Sequence, residues 1–141
     1  DWIPLAEDEM VAVLPHKHPL GELERCPVSA LEKEPFIMFA AGVDYDMEKI
    51  LRQNRICPDV WFSSMDDHTI ISMIENGLGV SIMPGLILKR YTRNVEIRPL
   101  DPPFFRSLGI LLPSLTTSSP AVKKFIKYVE SMIPQLYPSV E

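Results

Sequence analysis

The chain has 141 residues, 46% of them hydrophobic and 23% charged, with a formal net charge of −5. This suits one ordinary domain with a real core and is too apolar for a disordered segment. No basic run is longer than a pair such as Lys123-Lys124, so the chain lacks the surface that neutralises phosphates, and nucleic acid is excluded as its own ligand.

Fourteen prolines, about twice the usual share, argue for many short elements separated by turns. Trp2 to Leu5 is a short apolar segment broken by Pro4. Asp1-Trp2-Ile3, with no initiator Met, reads as the middle of a domain, so the chain is expected to be a piece of something longer. Nothing near it resembles a signal peptide, and no apolar run approaches the roughly 18 residues of a membrane span. Met10 to Leu14 is an unbroken apolar run, which suits a strand covered on both faces.

Pro15 and Pro19 bracket a loop holding His16 and His18. No carboxylate or thiol lies near them in a helical register, so no metal is expected. Cys26 and Cys57 lack a CxxC spacing and are read as reduced, partly buried thiols. Pro27 to Glu32 is expected as one short helix. Phe36 to Phe39 is the next buried strand, and Ala40-Ala41-Gly42 follows it with little side-chain bulk. The turn after a parallel strand is where open α/β sheets bind ligands, so Met38 to Gly42 is read equally as a plain turn and as a ligand wall.

Asp44 to Arg55 reads as an amphipathic helix, with Met47, Ile50 and Leu51 on one side. Val60-Trp61-Phe62 is a strand whose aromatic pair is read as packing ahead of ligand stacking. Asp66 and Asp67 then cap a helix whose apolar set is Ile70, Ile71, Met73, Ile74 and Leu78. Asn76-Gly77 stops it, and Val80 to Met83 reads as a buried parallel strand ended by Pro84-Gly85. A short helix over Leu86 to Tyr91, a half-exposed strand over Val95 to Leu100 and a buried strand over Leu108 to Leu112 complete the middle. Ser119-Pro120 opens a last helix, with Val122, Phe125, Ile126, Val129 and Ile133 on its core side and Pro134 as its stop. Strands alternating with helices predict an α/β fold with a mostly parallel sheet.

The chemistry is sparse. There is no GxSxG, no Walker loop and no GxGxxG after a strand, and Asp66 and Asp67 point about 100° apart on a helix. No catalytic residue, metal ligand or cofactor is expected.

Four blocks taken together carry a resemblance: MVAVLPHKHPL at Met10 to Leu20, EPFIMFAAG at Glu34 to Gly42, DDHTIISMIENGLGVSIMPG at Asp66 to Gly85, and SPAVKKFIKYV at Ser119 to Val129. In order and spacing the chain resembles the effector-binding domain of LysR-type transcriptional regulators. The resemblance implies two Rossmann-like subdomains of the type 2 periplasmic-binding-protein architecture, with a small effector between them. Residues 13–95 would be the complete second subdomain. Residues 1–12 and 106–141 would be what is present of the first, and 96–105 the second hinge crossing. The effector wall would fall on Met38, Phe39, Ala40, Ala41 and Gly42. Because Met38, Ala40 and Ala41 offer no hydroxyls, an apolar or weakly charged effector is expected. Self-association would use the region of Asp44, Tyr45, Val60, Trp61 and Phe62. DNA contact would belong to an N-terminal domain absent from this sequence, in a cytoplasmic protein that meets no membrane. A solute-binding protein of the periplasmic type 2 class is the alternative with the same architecture.

Overall fold

The structure is a computed structural model, and it describes residues 1–40, 42, 45–90 and 94–137. It divides into two compact units, one formed by Asp1–Asp8 with Ser107–Glu141 and the other by Glu9–Arg106.

The larger unit holds the hydrophobic core. Strand β1 (Trp2–Pro15) contributes Met10, Val11, Ala12, Val13 and Leu14, all buried. Strands pair with it on both edges. Strand β5 (Ser81–Pro84) runs antiparallel on one edge of β1, with Met10 opposite Pro84 and Val13 opposite Ser81. Strand β6 (Val95–Asp101) runs antiparallel on the other, with Val11 opposite Pro99 and Pro15 opposite Val95. The two-residue β2 (Cys26–Pro27) then adds to β6 in parallel.

A parallel pair forms the other layer of sheet. Strand β3 (Pro35–Phe39) lies beside β4 (Asp59–Ser64), from Pro35 opposite Asp59 to Phe39 opposite Ser64. Val80 bridges to Phe36 in parallel, with the Ile37 N–H donating to the Val80 carbonyl at 2.9 Å. The segment expected as one parallel strand therefore serves twice. Val80 is parallel to β3, and the next four residues turn their hydrogen bonds to β1 in the antiparallel sense. The buried Ser81 hydroxyl, donating to the Ile37 carbonyl at 2.7 Å, fastens that change of partner.

Helix α1 (Tyr45–Gln53) buries Met47, Ile50 and Leu51, the side its periodicity indicates. Helix α2 (Asp67–Glu75) is capped by Asp66, whose carboxylate accepts from the Thr69 N–H at 2.8 Å. Its exit is a Schellman closure: the Gly77 N–H reaches the Ile74 carbonyl and the Leu78 N–H reaches that of Met73, with Gly77 at φ +76. Ile70, Ile71 and Ile74 are buried. Leu78 is exposed instead of buried, because the closure swings it off the helix face that faces the core. Helix α3 (Gly85–Leu88) is a single turn. Cys57 is exposed and not partly buried as expected, whereas Cys26 is buried, and that burial, with the nearby Glu34 carboxylate, pushes its thiol up to about 11.

In the smaller unit, strand β7 (Phe105–Leu111) pairs with β1, and Asp1 and Leu112 exchange backbone hydrogen bonds of 2.7 and 3.0 Å. Helix α4 (Pro120–Leu136) starts at Ser119, whose hydroxyl accepts from the Val122 N–H. Two expectations fail here. Leu108 and Ile110 are only half-buried, and Leu111 is exposed. On α4 only Ile126 is fully buried, while Val122 and Phe125 are exposed, and the helix carries Pro134 inside its last turn. Periodicity identifies the apolar side of a helix; it does not guarantee that a neighbour covers it.

Candidate functional site

The C-terminal ends of β3 and β4 lie side by side. Met38 is opposite Ser63 and Phe39 opposite Ser64, and the Ala40 N–H donates to the Ser64 carbonyl at 3.0 Å. Both strands leave the sheet at this edge, so backbone and short side chains are presented together, the arrangement by which open α/β sheets receive ligands. Met38 and Ala40 are half-buried, as a wall requires. Phe39 points the other way along the pleat and is 7% exposed, so its ring belongs to the core. Gly42 has φ +81 with open space where a Cβ would stand, a backbone conformation that L side chains rarely adopt. Ala41 lies outside the described residues.

Ser63 and Ser64 were not singled out in the sequence, yet the register sets them beside Met38 and Phe39. The only signal was their place at the end of a strand. Ser64 is partly committed, since its hydroxyl accepts from the Asp66 N–H at 3.1 Å. The α2 N-terminus is committed as well. Asp66 accepts from both the Thr69 hydroxyl at 2.7 Å and the Thr69 N–H, and these two bonds, the hydroxyl's first, hold its carboxyl below the usual range. Asp46 and Glu48 likewise place negative charge in the first turn of α1. The start of α2 is thus not left open to an anion.

The region expected to self-associate has a distinct character. Tyr45, Val60 and Trp61 are 72%, 47% and 61% exposed, and Phe62 stands at 36%. The packing reading of Trp61-Phe62 is thus overturned: β4 pairs with β3 on one edge, and its own side chains stay on the surface. The Trp61 indole N–H donates to the Asp59 carboxylate at 2.9 Å. Asp44 lies outside the described residues.

The two loop histidines, His16 and His18, have structural work. His18 Nδ1 accepts from the Leu20 N–H at 3.1 Å, capping a 3-10 turn, while Nε2 lies 3.3 Å from Glu34. His16 Nδ1 lies 3.4 Å from Glu96, which also meets Arg98 at 3.3 Å. These carboxylates come from far along the chain, where a search of local spacing could not find them. Among the described residues, no helix is long and apolar enough to cross a membrane.

Comparison with known proteins bears on this geometry. Residues 1–133 match the family model of the LysR substrate binding domain. The HTH-type transcriptional regulator YvbU of Bacillus subtilis is 30% identical over 134 residues, covering 94% of this chain and 46% of its own. The chain spans about half the length of the curated relatives it matches. Among solved structures, the regulatory domain of CcmR from Synechocystis PCC6803, in complex with 2-PG, superposes with a TM-score of 0.80 at 20% identity, over 94% of this chain and 66% of that one. The effector binding domain of QuiR in complex with shikimate gives 0.75 at 21% identity, over 96% and 66%.

Proposed function

The chain belongs to the LysR substrate-binding domain family, and from that premise we propose that it is the effector-sensing module of a LysR-type transcriptional regulator, taking a small molecule at the paired ends of β3 and β4. The observation that carries the site is the parallel register that brings Met38, Ala40 and Ser63 to one edge beside the open backbone of Gly42. Met38, Phe39, Ala40, Ala41 and Gly42 form the wall, with Phe39 contributing backbone alone. We add Ser63 as its one hydroxyl.

This wall favours an apolar or weakly charged effector. Methyl and thioether groups line it, the α2 start already holds the Asp66 carboxylate, and Asp46 and Glu48 add negative charge in the first turn of α1. In this reading residues 13–95 are the complete second subdomain, residues 1–12 and 106–141 belong to the first and 96–105 is the second hinge crossing, whereas the compact units divide at Asp8 and Arg106, so residues 9–12 and 96–105 pack with the larger unit. An effector that binds one arrangement of the subdomains better than the other shifts their balance by that difference in affinity, and the regulator's DNA-binding parts follow. DNA is met by a separate N-terminal domain, and the protein works in the cytoplasm. The exposed Tyr45, Val60, Trp61 and Phe62 supply a self-association surface. The relatives matched are transcriptional regulators, which favours this reading over a periplasmic solute-binding protein.

Ala40→Trp in the longer regulator tests the site. The expected result is loss of effector-dependent induction with melting temperature and operator binding retained. Unaltered induction would reduce the turn to a plain connection.

A further inference from the structure

Beyond β6 the chain runs through Pro102-Pro103-Phe104, and the two prolines bring no N–H with which to extend a ladder. Asp101, Pro102 and Pro103 are exposed. Residues 100–104 are nonetheless fastened at both ends, and at each end a cation from elsewhere in the larger unit takes part.

At the first end, the Arg25 guanidinium donates to the Leu100 carbonyl at 2.9 Å, and the same Nη1 lies 3.6 Å from Glu9 Oε1 on β1. At the second end, the Phe104 carbonyl accepts from the Met10 N–H at 2.9 Å. The Phe104 ring packs against the core cluster, and the Lys49 ammonium of α1 stands 5.6 Å from its centroid. That is within the reach of a cation–π contact. Glu9 and Met10 are successive residues, so both ends close on one point of β1.

Helix α1 opens at Tyr45, three residues beyond Gly42, and Tyr45 is exposed. The helix that follows the candidate wall is therefore also the one that grips Phe104. We propose that residues 100–104 form a strap that α1 holds against β1 through Lys49 and Phe104, a conformational device by which a change at α1 is felt at Glu9 and Met10. A ligand at the turn before α1, or a partner against Tyr45, acts on the helix that holds the strap. Linkage requires that the state of the strap acts back on both. The connection to a ligand rests on the site reading above; the strap itself does not.

Amide hydrogen exchange in the 141-residue chain tests it. The Met10 N–H reports the strap. The Ile37 N–H, which donates to the Val80 carbonyl at 2.9 Å within the core, reports the larger unit as a whole. Lys49→Met keeps the side-chain stem and removes the charge. The expected result is exchange at Met10 faster by about two- to fivefold, with Ile37 unchanged and Lys49→Arg close to wild type. In a Phe104→Leu background the Lys49→Met step should add nothing. An unchanged Met10 rate, equal acceleration at Ile37, or the same acceleration with the ring already removed overturns the proposal. Should Phe104→Leu not fold, the contrast between Lys49→Met and Lys49→Arg decides it alone. Failure of the site reading shows separately, as unaltered induction with Ala40→Trp.

Discussion

Ile74→Ala is the sharpest probe of the larger unit. Ile74 is fully buried on the inner face of α2. Truncation removes three carbons, about 2.4 kcal/mol at about 0.8 kcal/mol per methylene-sized group. The hole they leave adds to this, because a packed core relaxes only in part, so about 3–4 kcal/mol is expected, inside the 2–5 kcal/mol range of such truncations. For a unit the size of Glu9–Arg106, that lowers the melting temperature by more than about 10 °C. Urea unfolding should follow Trp61 fluorescence in a Trp2→Phe background, so that the signal comes from the larger unit alone. Met65→Ala, at a side chain 73% exposed, is the control and should cost less than about 0.5 kcal/mol. Equal midpoints for the two variants would refute the placement of Ile74 and the register of the helix.

Other outcomes follow from the same geometry. With a net charge of −5, the chain should give no mobility shift with random duplex at about 50 mM salt, and salt-sensitive micromolar binding would contradict this. In sedimentation, association through the β4 surface should be weakened by Trp61→Glu, whereas a chain already monomeric at high concentration would remove the surface from consideration. Asp66 has a lowered folded pKa, so its capping contribution is present at neutral pH and above its unfolded value near 3.8 and is lost as pH falls through the folded value. The stability gap between wild type and Asp66→Ala should therefore close in acid, and a gap independent of pH would count against the cap.

Local physics was legible in the sequence. The Asp66 cap, the Gly77 closure, the apolar faces of α1 and α2 and the strand run at Met10 to Leu14 each follow from interactions within a few residues, and four such blocks in order sufficed to place the family. Tertiary structure alone decided who covers what. Val80 to Pro84 changes partner from β3 to β1 within five residues because its two neighbours come from distant parts of the chain. Ser63 joins Met38 only through strand register, and His18 meets Glu34 only after folding. The same limit explains Trp61 and Phe125, which look like core residues in a pattern of apolar spacing and yet lie on the surface. Periodicity records which side of an element is apolar, while burial requires a second surface, and that surface is set by contacts far apart in sequence.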